Sequence, residues 1–417
     1  MSVAGIIAEY NPFHEGHYYH MKKARRITGA SACVCVLSSN FVQRGEPAIV
    51  DKWARTRMAL SLGADLVIEL PCAFSCASAE YFASAAVKIL DSLNCVDYLC
   101  FGSEEGSLES IERTAGLLAF ESDDFKRELK RALDQGLSFA AARQKALKNG
   151  AVLDKPNNIL GVEYIKAIRK TGSPIKPVTV GRIGQDYNGR EPAGSFLSAA
   201  AIRRHLSETF SSGIDLADLE KDPFLKNNLP EKSLNILTEE FGTGKGPVFP
   251  ESFETLLLYL LRRSTEAELR RLPYVNEGLE HRIRLAAMNS SSVSGFVSQT
   301  VTSRYPASRI RRILCALLTG MTKELLDELK SGGYAQYIRI LGFNETGRKL
   351  LPTIKRKARL PIITKPAGYT RLDNPLARRL FEYEIRAADA YALGYPEAGN
   401  RLGGTEYRTR PVYMKEK

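Results

Sequence analysis

The sequence of 417 residues predicts an α/β fold in which a doubly wound parallel sheet is followed by a mostly helical C-terminal region. Three observations lead to this prediction. Short apolar runs alternate with segments of helical periodicity throughout the first 205 residues. Those runs show little polar alternation, which is typical of parallel strands covered on both faces. Beyond residue 205 the strand signals give way to helical patterns.

The first 205 residues contain five predicted strands. They are residues 2–8, 32–39, 65–71, 96–104 and 176–184. Helical periodicity fills the intervals, at residues 15–29, 51–64, 78–93, 107–148 and 157–172. Asp51 is predicted to cap the second helix, because an aspartate side chain accepts N–H groups of the first helical turn. Strands joined by helices indicate βαβ units, so a Rossmann-like domain is predicted for residues 1–205.

The rest of the chain is predicted to form two further parts. Residues 206–345 are strongly helical and are predicted to form a helical domain. Residues 346–417 are predicted to form a basic C-terminal segment, and the tail as a whole mixes strand-like apolar stretches, a basic helix and a final helix.

Charge is unevenly distributed along the chain. The formal net charge is +12, yet residues 345–417 alone contain 16 Lys/Arg and 8 Asp/Glu. A basic terminal segment predicts a polyanionic partner, and a solvated surface that favours solubility is the alternative. The segments that would meet phosphates are "TSRYPASRIRR" and "GRKLLPTIKRKARLPIITK".

Composition narrows the class of protein. An apolar share of 44% and a charged share of 25% are typical of a globular chain. The sequence contains no run of eighteen apolar residues, so it predicts no membrane-spanning helix. Six of the seven cysteines lie between Cys33 and Cys100 in apolar surroundings, which predicts buried free thiols and a cytoplasmic location. A zinc site at Cys72 and Cys76 is the weaker interpretation, because no second pair of ligands follows at ligand spacing.

One short stretch combines the features of a phosphate site. Residues 9–20 hold three of the five histidines, and His14 and His17 flank Gly16 at the turn from the first strand into the first helix. That turn lies at the carboxyl edge of a parallel sheet, where ligands bind. The glycine permits close approach, the helix N-terminus favours phosphate, and both imidazoles can donate hydrogen bonds or carry charge near neutrality. The arrangement suits nucleotidyl transfer, with a metal-binding pair or an unrelated loop as alternatives.

The sequence also resembles a known family. His14-Glu15-Gly16-His17 is similar to the HxGH signature of the nucleotidyltransferase superfamily, and the loop Arg44-Gly45-Glu46-Pro47 follows the second strand at the same sheet edge. Several longer phrases resemble the bacterial tRNA(Met) cytidine acetate ligase family. These are "GIIAEYNPFHEGH", "SSNFVQRGEPAIVDKWARTRMAL", "GADLVIELP", "CFGSE", "KPNNILGVEYIKAI" and "LPIITK".

The resemblance implies an ATP-dependent ligase that acts on elongator tRNA(Met). In that family acetate and ATP give acetyladenylate and pyrophosphate, and the acetyl group then passes to N4 of the wobble cytidine with release of AMP. Mg²⁺ is expected with ATP, although the sequence shows no dedicated carboxylate cage for a metal. The sequence holds no P-loop and no GxSxG motif, so ATP must be held by other means and no protein nucleophile is evident.

Two other functions remain open at this point. A small-molecule adenylyltransferase of the same fold would use the same signature, but such enzymes are usually much shorter. A non-catalytic RNA-binding protein could retain a degenerate nucleotide fold, but the intact signature residues argue against it.

The resemblance also implies which residues form the site. His14 and His17 would be catalytic, within an ATP site made of Ile7, Ala8, Glu9, Tyr10, Asn11, Pro12, Phe13, His14, Glu15, Gly16, His17, Tyr18, Tyr19, His20, Gly102, Asn157, Arg182, Ser198 and Arg203. Asn157 is favoured over its neighbour Asn158. Residues 195–206, "SFLSAAAIRRHL", resemble the second signature of the superfamily, in which Ser198 would cap a helix and bind phosphate and Arg203 would reach the β and γ phosphates of ATP. Ala200 stands where the family commonly has threonine, which removes one hydroxyl donor.

Each of these assignments has a structural alternative. A turn glycine would explain Gly102, helix capping would explain an asparagine, and a surface cation would explain Arg182 or Arg203. For tRNA the candidates are Lys355, Arg356 and Lys357, with a solvated helix face as the alternative.

Overall fold

A computed structural model describes residues 1–137, 139–147, 153, 155–181, 196–213 and 216–415. Its strands are β1 Val3–Ala8, β2 Ala32–Ser38, β3 Phe41–Val42, β4 Glu46–Pro47, β5 Leu66–Leu70, β6 Tyr98–Ser103, β7 Lys176–Gly181, β8 Ile338–Asn344, β9 Ile362–Ile363 and β10 Val412–Met414. All five strands predicted in the first part of the chain are present, with described bounds within two residues of those predicted. Residues 182–184 of the last predicted strand lie outside the described residues.

The helices of the first part are α1 Glu15–Thr28, α2 Lys52–Ser61, α3 Cys72–Ser75, α4 Ala79–Ser92, α5 Leu108–Ala119, α6 Asp123–Asp134, α7 Phe139–Ala146, α8 Pro156–Thr171 and α9 Ala199–Ser211. Those that follow are α10 Leu216–Leu219, α11 Pro223–Asn228, α12 Glu231–Gly242, α13 Glu254–Arg263, α14 Glu266–Arg270, α15 Leu279–Met288, α16 Val293–Thr300, α17 Ala307–Thr319, α18 Lys323–Ser331, α19 Glu345–Lys357, α20 Pro375–Ala392 and α21 Thr405–Arg408. None of the described helices has the length and apolar character that a bilayer crossing demands.

The main sheet has the strand order β10-β8-β5-β2-β1-β6-β7, with β9 paired to β8. Five neighbouring strands of this sheet are parallel, as predicted, in the order β5, β2, β1, β6 and β7. Strand β8 runs antiparallel to β5, so the complete sheet is mixed. The chain moves outward from β1 to β2 and β5, and then returns to add β6 on the other side of β1. This reversal creates a topological switch point between β1 and β6, where open α/β sheets bind ligands.

Burial of both faces explains the sequence of the central strands. Every residue of β2 is buried, and Val34 and Val36 pack into the core on one face while Cys33 and Cys35 pack into the core on the other. Burial raises the pKa of the Cys35 thiol to about 12, which keeps it protonated. All seven cysteines are free thiols. Six of them are buried, and Cys95 is half-buried. Among the described residues no group of His, Cys, Asp or Glu is arranged to hold a metal.

The C-terminal part adds strands to the same sheet instead of packing beside it. β8 lies within the region predicted to be a helical domain, yet it pairs with β5, and β10 from the end of the chain pairs with β8. The predicted domain boundaries at residues 205 and 345 stay predictions. The main sheet contains strands from before and after both positions.

A cluster of fully buried charges joins the two ends of the chain. Lys52 Nζ contacts a carboxylate oxygen of Glu69, lies 2.6 Å from Glu406 Oε1 and lies 3.2 Å from Glu384 Oε1. Arg339 Nη2 lies 3.5 Å from the second oxygen of Glu406. Three carboxyl groups thus face two cations, all with side chains at most 1% exposed, so one shared proton would balance the charge.

The pKa directions identify the carboxyl group that keeps this proton. Burial and the adjacent carboxylate of Glu384 raise the pKa of Glu69 well above its usual range. Burial opposes ionisation of Glu384 as well, but the charge of Lys52 and hydrogen bonds from Ser39 Oγ and Cys72 N lower the pKa of Glu384 below its usual value. These directions favour Glu69 as the site of the proton and Glu384 as an ionised member of the cluster.

Two isosteric substitutions test this assignment. We expect Glu69→Gln to change the free energy of unfolding at pH 7 by less than about 1 kcal/mol, because it replaces a neutral carboxyl group by a neutral amide. We expect Glu384→Gln to cost about 3 kcal/mol or more, because it removes an ionised partner of Lys52 that also accepts charge-assisted hydrogen bonds from Ser39 Oγ and Cys72 N. Urea unfolding at pH 7 measures both, and equal losses in the two variants would contradict the assignment.

The pH dependence gives a second measurement. Because the folded pKa of Glu69 is raised, the stability linked to this proton is complete below its unfolded pKa and is lost as the pH rises through the folded pKa. The free energy of unfolding of Glu69→Gln should therefore decline less than that of the unaltered chain as the pH is raised.

Candidate nucleotide-binding site

The turn between β1 and α1 forms a reciprocal cap from two histidines. His14 is the N-cap of α1, and its Nδ1 accepts the N–H of Gly16 at 3.0 Å. The Nδ1 of His17 accepts the N–H of His14 at 3.3 Å. Side chains of residues three apart thus satisfy main-chain donors that a helix N-terminus leaves open. The spacing noticed in the sequence is the spacing of a capping box.

This cap fixes which ring nitrogen donates. Since each Nδ1 accepts a main-chain N–H, each neutral ring carries its proton at Nε2, and Nε2 is the donor that a phosphate oxygen needs. The two rings are stacked with centroids 3.7 Å apart, and the ring edges of Tyr10 and Phe13 pack against His17. The imidazoles are therefore held in orientation by packing as well as by hydrogen bonds.

Gly16 is required by close packing at the same turn. A Cβ at this position would lie 2.9 Å from Cε1 of His14 and 3.2 Å from Cβ of Phe196. Phe196 precedes α9, and its ring lies 5.5 Å from that of Tyr19 in α1. The glycine thus lets the segment before α9 pack onto the turn, in addition to the close ligand approach expected from the sequence.

The second predicted signature lies against the first. Ser198 is the N-cap of α9, and its Oγ accepts the N–H of Ala201 at 3.3 Å, which confirms its predicted capping role. Arg203, one turn into the helix, donates from Nη1 to the main-chain oxygen of Asn11 at 2.9 Å. Its Nη2 donates to Oε2 of Glu46 at 3.3 Å. The guanidinium predicted to reach the β and γ phosphates is thus anchored on the histidine turn.

Asn157 and Asn158, in the first turn of α8, lie beside the end of β6 on the other side of the switch point. Asn158 is buried, and its Oδ1 accepts the N–H groups of Glu104 and Glu105 at 3.0 and 3.3 Å. Asn157 is exposed to solvent more than its neighbour, and it donates from Nδ2 to Glu104 Oε1 at 2.6 Å. Asn158 is therefore the structural member of the pair, and Asn157 stays the candidate for a nucleotide contact. Gly102 lies within β6, opposite Val180 of β7.

Sequence reasoning did not assign a role to Glu104. Its carboxylate accepts the main-chain N–H groups of Asn157 at 3.3 Å and of Asn158 at 3.0 Å, and so covers the N-terminus of α8. The signal was present in "CFGSE", where an acidic residue directly follows a strand at the carboxyl edge.

Arg55 was also missed. Its fully buried guanidinium donates to the main-chain oxygens of Glu9 at 2.8 Å, Ser38 at 3.0 Å and Ser39 at 2.6 Å. A further bond from Nε reaches Val50 O at 3.1 Å. Arg55 therefore satisfies carbonyl groups where β1 and β2 end. Burial lowers its pKa. The pattern "KWARTRMALS" does not distinguish the buried Arg55 from Arg57, which is not buried, so the sequence carries no clear signal for it.

Glu9 places a carboxyl group beside these cations. Burial raises the pKa of Glu9, and the N–H of Gln43 together with the charges of Arg203, Arg55 and Arg44 offsets only part of this effect. A raised pKa brings the carboxyl group closer to neutrality, and a less charged carboxyl group repels a phosphate less.

Four predicted residues are not brought to this edge by the described structure. Arg182 lies outside the described residues. Lys355, Arg356 and Lys357 are exposed at the C-terminal end of α19. Lys357 lines a cavity of about 400 Å³ together with Val3, Asp97 and Ile175. Val3 begins β1, while Asp97 and Ile175 directly precede β6 and β7, so this cavity lies at the amino edge of the sheet, opposite the histidine turn.

Comparison with known proteins extends these observations. The chain matches the family model described as HIGH Nucleotidyl Transferase over residues 1–405. It is 44% identical to the tRNA(Met) cytidine acetate ligase of Acetivibrio thermocellus, over 99% of this chain and 100% of that protein. It is 40% identical to the ligase of the same name from Halothermothrix orenii, over 98% of each chain.

Solved structures agree with the sequence comparison. The crystal structure of Thermotoga maritima TmcAL bound with alpha-thio ATP matches with a TM-score of 0.91 and 34% sequence identity over the full length of both chains. The apo form of the same protein matches with a TM-score of 0.92. The paired histidine cap, the switch-point sheet and this full-length similarity together show that the chain belongs to the tRNA(Met) cytidine acetate ligase family of HIGH nucleotidyl transferases.

Proposed function

We propose that this protein is an ATP-dependent acetate ligase that forms N4-acetylcytidine at wobble position 34 of elongator tRNA(Met). The observation that carries the proposal is the reciprocal cap of His14 and His17 at the switch point, with Arg203 anchored on the same turn. The names of the full-length relatives and the ATP analogue bound by the Thermotoga maritima protein support it.

The first step would be acyl activation. An acetate oxygen attacks the α-phosphorus of ATP, the bond to the β-phosphate oxygen breaks, and pyrophosphate leaves. The Nε2 donors of His14 and His17 would stabilise charge that develops on the α-phosphate, while Arg203 would hold the departing phosphates. No protein nucleophile takes part, so placement of charge accounts for the catalysis.

The second step would be acyl transfer. The N4 amine of the cytidine attacks the acetyl carbonyl carbon, the bond to AMP breaks, and the amine loses one proton as the amide forms. AMP leaves with the two electrons of the broken bond, so the step needs no oxidant and no reductant. The wobble base must reach the carboxyl edge of the sheet, which requires it to be unstacked from the anticodon loop.

Mg²⁺ is expected to arrive with ATP. No three-ligand group of His, Cys, Asp or Glu exists among the residues described, so the phosphates would supply most of its oxygen ligands. Such a bound cation would neutralise phosphate charge. The cytoplasmic location expected from the thiols stays a prediction.

Mass analysis of tRNA nucleosides tests the proposed function directly. After incubation of the protein with tRNA(Met), ATP and acetate, we expect N4-acetylcytidine, and none when either ATP or acetate is omitted. Exchange of labelled pyrophosphate into ATP should depend on acetate and not on tRNA. Exchange that depends on a small phosphorylated substrate instead would favour an adenylyltransferase, and no exchange at all would favour a non-catalytic RNA-binding protein.

A substitution of His17 separates capping from phosphate binding. We expect His17→Ala to abolish pyrophosphate exchange and to leave tRNA binding largely intact. His17→Asn is the sharper variant, because its Oδ1 can still accept the N–H of His14 while the Nε2 donor is lost. Its exchange rate should fall by about a hundredfold or more, with thermal stability preserved. Equal loss of exchange and of tRNA affinity in both variants would show that His17 has been misplaced.

The basic end of α19 provides a test of tRNA contact. We expect simultaneous Lys355→Ala, Arg356→Ala and Lys357→Ala to weaken tRNA binding and to flatten its salt dependence, because phosphate contacts release counterions. Pyrophosphate exchange should not change, since these residues lie at the opposite edge of the sheet. Affinity measured over a series of salt concentrations gives the slope.

A matched control removes the same charge elsewhere. Lys126, Arg127 and Arg131 are exposed on α6, and their replacement by alanine should leave the salt slope as it is. An unchanged affinity of the α19 variant at low salt would contradict its assignment, and so would an equal loss in both variants.

A further inference from the structure

Residues 43–45 join β3 to β4, and Glu46, the first residue of β4, connects two arginines from distant parts of the chain. Glu46 Oε2 accepts from Arg203 Nη2 at 3.3 Å, and Glu46 Oε1 lies 2.9 Å from Nη1 of Arg311 in α17. The side chain of Glu46 is 16% exposed and that of Arg203 is 20% exposed, so water screens their contact only in part. One carboxylate thus bridges the second signature helix and the helical region.

Main-chain packing sets the position of this carboxylate. Gly45 has φ +80°, and a Cβ there would lie 2.3 Å from Arg312 N and 2.4 Å from Arg311 C. The tip of the hairpin therefore rests directly on the backbone of α17, where no side chain fits. Arg312 Nη1 also donates to the main-chain oxygen of Gln43 at 3.3 Å. The hairpin is a rigid support, and not a free loop, at the side of the histidine turn.

From these contacts we propose that Glu46 is a positioning residue for the polyphosphate of ATP, acting through Arg203. This inference rests on the proposed function, in which Arg203 binds the β and γ phosphates. The main-chain oxygen of Asn11 and the carboxylate of Glu46 hold the guanidinium from two sides, and an arginine held in this way loses less conformational entropy when it binds phosphate.

The donor count of Arg203 permits both tasks at once. A guanidinium has five N–H groups, and the contacts with Asn11 and Glu46 use one on Nη1 and one on Nη2. If only the contacts with described residues are counted, three N–H groups of Arg203 remain for phosphate oxygens. Because Arg311 also pairs with Glu46, the unit of two arginines and one carboxylate keeps a net charge of +1 and attracts a polyphosphate.

Positioning and simple charge repulsion make opposite predictions for Glu46→Gln. On charge alone, loss of a carboxylate beside a polyphosphate would tighten ATP binding. If Glu46 positions Arg203, the same variant binds ATP more weakly, because the guanidinium loses a charge-assisted anchor. AMP lacks the β and γ phosphates, so its binding should not depend on Glu46.

The test compares binding of α,β-methylene ATP and of AMP by calorimetric titration of the full chain. We expect Glu46→Gln to raise the Kd for the ATP analogue about tenfold and to leave the Kd for AMP within about twofold of its original value. In an Arg203→Met background, Glu46→Gln should have no further effect, because the residue through which it acts is gone. Glu208→Gln, a carboxylate on the same helix as Arg203, is the charge-matched control and should change neither Kd.

Several outcomes would overturn this inference. They are an unchanged or lower Kd for the ATP analogue in Glu46→Gln, an equal weakening of AMP binding, and an undiminished effect in the Arg203→Met background. No binding of the analogue by the unaltered chain would remove the ATP site and this inference with it. The titration needs neither acetate nor tRNA, so failure to form N4-acetylcytidine would defeat the proposed function while the role of Glu46 is judged separately.

Discussion

Hydrogen bonds between the imidazoles and the main chain of the first helical turn are the constraint on which the candidate site depends. The Nδ1 atoms of His14 and His17 accept N–H groups that begin α1, so the cap of the helix and the proposed phosphate site are one structure. A ring that turned away would leave a main-chain donor unsatisfied. The positive end of the helix, the two Nε2 donors and the small Gly16 therefore occur together, because each is a consequence of the same capping geometry.

Beneath this turn, α2 supplies two fully buried cations from adjacent turns. Arg55 donates to carbonyl groups where β1 and β2 end, and Lys52 contacts carboxyl groups that come from β5, α20 and α21. Buried charges are costly, and they persist here because each has several partners that would otherwise remain buried without compensation. The C-terminal helices are thus joined to the edge that carries the candidate site by electrostatics, across a sequence separation of 332 residues between Lys52 and Glu384.

Sequence patterns predicted what is local and did not predict what is brought together by folding. The five parallel strands, the Asp51 cap and the histidine turn each follow from neighbouring residues, and the structure has all of them. The place of β8 beside β5 could not be predicted, because partners such as Leu66 and Phe343 are far apart in the chain and leave no periodic signal. The roles of Glu46 and Arg55 could not be predicted for the same reason, since their partners belong to other elements.

The distribution of basic residues between the two edges of the sheet limits how tRNA can be recognised. The basic end of α19 lies away from the histidine turn, whereas the arginines of α17 rest against the β3–β4 hairpin beside it. Phosphate contacts position a nucleic acid without reading its sequence. Under the proposed function, the choice of one cytidine would come from contacts with unstacked bases near the carboxyl edge, where Glu46 joins α17 to Arg203. In that scheme charge would orient the tRNA, and residues beside the β3–β4 hairpin and the histidine turn would select the base.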